Sequence, residues 1–274
     1  MQPVRGYPVE LFYSFILGIL QGFTEFLPVS SSGHLVLGQA LLGFELPGLA
    51  YEVTLHVATA AAVVLAYRKR IGAMLASLKP SGTGDAAVTR EHRLLVWYLV
   101  IGTVPAAVAG VLFKDRLESA FDSPREVCLM LAVTGVILSL SRLGKANPAR
   151  GLIWWRVLLI GAAQAVALLP GISRSGTTIT AALLLGLTPG RAAEFSFLLA
   201  LPAILGAAVL EFVSEFSQGA PALPGTGVLA VGALSAFLSG FLAIFFLLKT
   251  LQSGRFDRFA WYCWAVAAAG LLFI

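Results

Sequence analysis

Gln21-Gly-Phe-Thr-Glu25-Phe-Leu-Pro28-Val-Ser30-Ser31-Ser32-Gly33-His34 interrupts a long apolar run, and Leu169-Pro170-Gly171-Ile-Ser173-Arg174-Ser175-Gly176-Thr177-Thr178 does the same in the second half of the chain. Each stretch carries Pro and Gly, which break a helix, beside side chains that hydrocarbon penalises. The first supplies a carboxylate, an imidazole and three consecutive hydroxyls; the second places a guanidinium among hydroxyls. Polar groups in such surroundings mark a site or a pathway.

What surrounds the two stretches is membrane-like. The chain is 58% hydrophobic and 12% charged, with a mean hydropathy of +0.87, outside the range of soluble domains. Apolar runs recur over 9–27, 50–67, 94–113, 126–141, 152–169, 192–213, 227–248 and 259–274. Several approach the roughly 20 residues a helix needs to cross a bilayer. Two more, 35–43 and 178–187, are too short and are bounded by Gly or Pro. No run alternates with period two, which argues against a β-barrel. The fold class read from this is an all-α polytopic membrane protein, a single integral membrane domain over 1–274. The net charge of +5 belongs to loops and calls for no nucleic acid. Cys128 and Cys263 fall within apolar runs and read as buried packing residues without a disulfide. The first run contains Glu25 and lacks a small-x-small cleavage site, against a cleaved signal peptide.

The landmarks repeat. Gly18, Gln21, Pro28, Gly33, Gly43 and Glu52 pair in order with Gly161, Gln164, Pro170, Gly176, Gly186 and Glu194, always at an offset of 142 or 143 residues. This divides the chain into a first repeat, 1–142, and a second, 143–274. Bases crowd 68–93, 142–156 and 249–258, whereas 211–226 holds Glu211 and Glu215 and no base. The positive-inside rule places the first three segments in the cytoplasm and the last outside. The helix after Glu52 then runs outside to inside, its counterpart after Glu194 the reverse. An inverted-topology repeat follows, with the two polar stretches as re-entrant helix-loop-helix hairpins meeting near the bilayer midplane.

The two loops carry complementary chemistry. Arg174 offers a planar fork of donors suited to phosphate, and Ser173, Ser175, Thr178 and a helix start near Gly176 add more. The plainer alternative is an arginine snorkelling to a headgroup with serines as caps. Gln21 and Glu25, four apart, share a helix face. Glu25 can take a proton or, with Gln21, hold a divalent cation. A hydroxyl among Ser30, Ser31 and Ser32 can attack phosphorus once His34 or Glu25 takes its proton. Against this, a serine here can simply cap the next helix, and His34 can simply be hydrogen-bonded. An oxygen-rich cation site, an activated nucleophile and an anion cradle together form a phosphoryl-transfer constellation, and its setting points to a lipid phosphate or diphosphate.

At these residues a likeness to a family emerges. Leu20–Leu35, Pro170–Thr178 and Glu194–Pro202 resemble the signature segments of the undecaprenyl-diphosphate phosphatases of the bacitracin-resistance type, and length and hydropathy agree along essentially the whole chain. The resemblance implies an integral membrane hydrolase of the bacterial cytoplasmic membrane. It would convert undecaprenyl diphosphate to undecaprenyl phosphate and inorganic phosphate, recycling the carrier for peptidoglycan synthesis and conferring bacitracin resistance. It further implies a divalent cation, Mg²⁺ or Ca²⁺, and a site open to the outer face. Carried over by position, Ser31 matches the nucleophile, His34 the loop histidine and Arg174 the essential arginine, with Ser173, Ser175 and Thr178 around it. Ser30 and Ser32 are expected on the phosphate. Glu25 matches the second acidic position of the family's E/Q-x-x-x-E motif and Gln21 the first, where many members carry Glu; this departure leaves Glu25 as principal ligand or base. Partners are the polyprenyl diphosphate and membrane lipids, and a homodimer is compatible with the reading. The rival is a polyprenyl-phosphate transporter or flippase, which shares the architecture but has no use for Ser31 beside Glu25 and His34. Glu52 and Glu194 are assigned structural roles, His56 none, and His92 a solvated place in a basic loop.

Overall fold

A computed structural model describes residues 7–42, 49–79, 86–218 and 224–273 of the chain. The regular elements among them are helical: α1 Tyr7–Phe26, α2 Ser31–Leu42, α3 Leu49–Ala66, α4 Arg68–Ser77, α5 Ala86–Leu112, α6 Lys114–Phe121, α7 Pro124–Leu140, α8 Trp154–Val166, α9 Arg174–Leu184, α10 Pro189–Gln218, α11 Thr226–Gln252 and α12 Phe259–Phe273. Among the described residues five helices are long and apolar enough to cross a bilayer, and a sixth span arises if α3 and α4, bent by 80° at Tyr67, count as one. The chain is a multi-pass helical membrane protein. Gly43 and the side chains of Glu211 and Glu215 lie outside the described residues.

The helices coincide with the apolar runs, and the two polar stretches coincide with breaks. α1 stops at Phe26 before Pro28, and α8 stops at Val166 before Pro170. The arms that follow, α2 and α9, have 12 and 11 residues, about half of what a span needs. The arms that precede differ. α1, with 20 residues, is about 30 Å long, whereas α8, with 13, is about 20 Å.

One expectation changes. The charge of segment 68–93 reads as a loop, yet Arg68–Ser77 is α4 and the last eight residues are the start of α5. Arg and Lys are good helix formers, so a run of charge marks where the chain leaves hydrocarbon and not where it stops being helical. Arg70 then ties α4 to its neighbours, donating to Glu194 Oε1 (2.7 Å) and Glu91 Oε1 (3.0 Å). It also meets His92 Nε2 at 2.8 Å, so His92 is engaged and not merely solvated. The sequence pattern likewise does not mark the short exposed α6.

The core lies beneath the two breaks. Phe26, Val29, Val127, Leu131, Ile179, Phe195 and Phe197 are all buried in one apolar cluster, and the rings of Phe26 and Phe197 meet edge to face at 5.5 Å. α1 and α11 run side by side at close range. A Cβ on Gly18 would strike Ser235 Oγ and Gly232 O, and one on Gly22 would strike Ser239 Oγ and Ala236 O. Small residues let backbones approach where lipid gives no hydrophobic drive between helices. The contact is pinned by Ser14 Oγ, which donates to Val228 O at 2.6 Å. Cys128 and Cys263 are free and buried, as expected.

Candidate active site

The two breaks abut. Gly33 is packed against Gly171, 3.3 Å from Cα of the latter to an ideal Cβ on the former, and Gly176 against Pro28 at 3.1 Å. Gly171 N–H donates across the gap to Ser32 Oγ at 3.4 Å. α2 begins at Ser31 and α9 at Arg174, so two helix N-termini, each with a partial positive charge, lie at the same junction.

Local conformation fixes each loop. Ser30 has φ of 69°, the one non-glycine residue in the left-handed region among the described residues. Such a conformation costs on the order of 1–3 kcal/mol and persists where the surroundings enforce it. Here Ser30 Oγ accepts from Gly33 N–H (3.3 Å) and Ser30 O accepts from His34 Nδ1 (2.8 Å), so the turn presents Ser31 at the head of α2. In the second loop Gly171 has φ of +92°, and a Cβ there would collide with Val127 O and approach Met130 Cβ to 2.8 Å. Thr134 braces this loop from α7: its hydroxyl donates to Gly171 O (2.8 Å) and accepts from Ser173 N–H (3.0 Å). Ser173 Oγ in turn accepts from Gly176 N–H at 3.1 Å, capping α9.

Glu25 is the hub. Its Oε1 takes a 2.5 Å salt bridge from Arg174 Nη2. Its Oε2 accepts from Ser31 Oγ at 2.8 Å and from Gln21 Nε2 at 3.1 Å. His56 Nε2 stands 3.7 Å from the same oxygen. The carboxylate is 6% exposed and Arg174 16%, so solvent screens the pair little. Burial of such a charge requires this many partners.

The expected site residues separate into two groups. Gln21, Glu25, Ser31 and Arg174 converge. His34 belongs to the loop but turns away: its Nδ1 is held by Ser30 O and its Nε2 meets Tyr262 Oη at 2.9 Å, the two rings stacked at 5°. Among the described residues no hydrogen bond joins His34 to Ser31 or Glu25. The hydroxyls expected on a phosphate are mostly spent within the fold. Ser30 and Ser173 cap helices. Ser175 donates to Leu27 O (3.3 Å), and Thr178 bonds Arg174 O (2.8 Å) and Ser196 Oγ (2.6 Å). Ser32 is half-buried and faces Ser30 Oγ and Gly171 N–H.

Four further residues take part. His56, one turn after Glu52 with Nδ1 fixed on Glu52 O (2.9 Å), reaches the hub; as an ionisable residue in a membrane helix it carried a readable signal. Ser196 lies in the Glu194–Pro202 segment, whose resemblance marks it without giving its role, whereas Thr134 and Tyr262 act across long sequence separations and carry no signal. Glu52 and Glu194 link helices, Glu52 by accepting from Gln39 Nε2 at 3.1 Å.

Two observations bear on a cation. Among the described residues there is no cluster of three or more His, Cys, Asp or Glu. Gln21 Oε1, however, is buried without a hydrogen-bond partner beside Glu25, an oxygen donor of the kind hard cations take. An ion sharing one carboxylate and one amide oxygen with substrate phosphates fits this donor set, in the manner of Mg²⁺ sites. Gln164, which the sequence offset pairs with Gln21, is buried with neither amide atom hydrogen-bonded.

Similarity to known proteins is extensive. A family model described as bacitracin resistance protein BacA matches residues 14–269. A protein named undecaprenyl-diphosphatase from Desulforapulum autotrophicum is 40% identical, the match covering 96% of this chain and 98% of that protein. Proteins of the same name from Syntrophotalea carbinolica and Salinibacter ruber are 43% and 40% identical, each match covering 93% of this chain and 96% of the relative.

Proposed function

The chain belongs to the bacitracin resistance protein BacA family, and from that membership and the geometry of the site we infer that it hydrolyses undecaprenyl diphosphate to undecaprenyl phosphate and inorganic phosphate. It is an undecaprenyl-diphosphatase that returns the lipid carrier to cell-wall synthesis. The observation that carries the chemistry is the 2.8 Å hydrogen bond from Ser31 Oγ to Glu25 Oε2, with Arg174 on the other carboxylate oxygen.

Ser31 Oγ attacks the terminal phosphorus while its proton passes to Glu25 Oε2. The bond from phosphorus to the bridging oxygen breaks, and undecaprenyl phosphate leaves. Water then hydrolyses the phosphoserine, giving inorganic phosphate and restoring the hydroxyl. The closeness of Glu25 to Ser31, and the engagement of His34 elsewhere, favour Glu25 as the base. Arg174 and the N-termini of α2 and α9 stabilise the charge on the transferring group. His34 orients the loop through Ser30, and Ser32 is the loop hydroxyl best placed to reach a phosphate. Gln21 Oε1 and Glu25 would hold Mg²⁺ or Ca²⁺, which supplies further neutralisation of phosphate charge when bound.

The architecture we infer around this site is the inverted pair of repeats, 1–142 and 143–274, with the breaks after α1 and α8 as the tips of re-entrant hairpins. The short α2 and α9 and the abutting loops support it. Location in the bacterial cytoplasmic membrane with the site open outward follows the family resemblance, and the positive-inside rule would put the basic segments around α4, after α7 and after α11 on the cytoplasmic side.

Phosphate release from undecaprenyl diphosphate in detergent, wild type beside Ser31→Ala, tests the reading. Release by the wild type and loss of at least about a hundredfold in the variant is expected for a serine nucleophile. Turnover retained by Ser31→Ala would overturn the covalent mechanism, and no release by folded wild type with Mg²⁺ or Ca²⁺ present would overturn the assigned activity.

A further inference from the structure

Because α1 runs beside α11, its depth can be followed residue by residue: Ser14 against Val228, Gly18 against Gly232 and Ser235, Gly22 against Ala236 and Ser239, and Phe26 against Gly240. α1 ends there, at Phe26, while α11 continues to Gln252, twelve residues or about 18 Å further. A recess of about 900 Å³ opens along and beyond the end of α1, between α11 and the start of α12. That is the upper part of the roughly 300–1,000 Å³ range of small-molecule sites. Ile19, Phe23, Leu27, Phe246 and Phe259 form its apolar wall, and Phe23 and Phe246 are 36% and 55% exposed.

The far rim is basic. Lys249, Arg255 and Arg258 line it together with the hydroxyls of Thr250 and Ser253. Among the described residues no carboxylate pairs with any of the three cations. The nearest acid in sequence, Asp257, is already bound to Arg142 at 2.5 Å. An apolar slot headed by three unneutralised cations, at the end of a helix in hydrocarbon, matches one kind of occupant in charge and shape.

We propose that this recess binds an anionic glycerophospholipid, with its phosphate on Lys249, Arg255 and Arg258 and one acyl chain lying along α1 beneath the tip of the first polar loop. The inner wall of the recess includes Val29 and Tyr262, and Tyr262 is the residue that holds His34. The lipid therefore touches the back of the loop whose front carries Ser31. The site is distinct from the Glu25–Arg174 junction and does not depend on the reaction assigned to it.

Native mass spectrometry of the detergent-purified protein, with phosphatidylglycerol or phosphatidylcholine added, tests this. The wild type should retain one phosphatidylglycerol and no phosphatidylcholine. The triple variant Lys249→Gln, Arg255→Gln, Arg258→Gln should retain at least about tenfold less, and an equal change of charge elsewhere, Lys69→Gln, Lys79→Gln, Arg90→Gln, should retain it fully. Ile19→Trp, which fills the wall and leaves every cation in place, should also release the lipid. Equal loss in the two triple variants, equal retention of both lipids, or displacement by inorganic phosphate alone would overturn the proposal.

Discussion

Arg174 Nη2 lies 2.5 Å from Glu25 Oε1, a contact between residues 149 positions apart. One end of it stands on α1, the other at the first residue of α9, so it clamps the two halves of the chain at the very point where Ser31 is presented. Neither charge is tolerable in hydrocarbon without the other.

Removing either end should therefore disable the site. Glu25→Gln and Arg174→Ala are each expected to lower phosphate release by at least about a hundredfold. Arg174→Lys should not rescue, because an ammonium cannot serve Glu25 and a phosphate in the same plane. Near-normal turnover in any of the three, measured as kcat/KM on folded protein, would disprove the roles of Glu25 as base and Arg174 as phosphate ligand.

His56 reaches the hub with a ring nitrogen 3.7 Å from Glu25 Oε2. His56→Ala is expected to cost about tenfold in kcat/KM, or about 1.4 kcal/mol of transition-state stabilisation, with thermal stability nearly unchanged. An unaltered rate would show that this histidine only fills space.

The second loop rests on a backbone that side chains resist. Gly171→Ala places a methyl group against Val127 O at φ of +92°, and a loss of about 1–3 kcal/mol is expected. A fall in the thermal midpoint together with reduced turnover would agree with this; a variant as stable as the wild type would show that the loop relaxes freely.

Cation dependence should track Gln21. Chelation by EDTA is expected to abolish phosphate release and added Mg²⁺ or Ca²⁺ to restore it. Gln21→Glu, which adds a carboxylate beside Glu25, should lower the Mg²⁺ concentration giving half-maximal rate, and Gln21→Ala should raise it. Chelator-resistant turnover would remove the cation from the reaction.

These residues also show how far the sequence could be read. The helices were legible because apolar runs of nearly membrane length leave few alternatives, and Glu25 and Arg174 were legible because charge in hydrocarbon is costly. The roles of the hydroxyls were not. Ser175 and Thr178 carry the chemistry of phosphate ligands, but their orientation depends on Leu27 O and Ser196, which only the packed structure brings near. Tyr262 stands 228 positions from His34, and nothing local marks it. The bend at Tyr67 escaped for another reason, since charge reports the membrane boundary and is silent about whether a helix continues past it.

The pairing of α1 with α11 has a bearing on biogenesis. α1 carries Glu25 and the glycine face of Gly18 and Gly22 and is synthesised long before its partner, which begins only at Thr226. Until that late segment is inserted, Gly18 and Gly22 lack the backbone they pack against, and Ser14 has no Val228 carbonyl to bind. A nascent chain stopped before α11 holds all four converging residues, Gln21, Glu25, Ser31 and Arg174, and still lacks the helix that sets their depth.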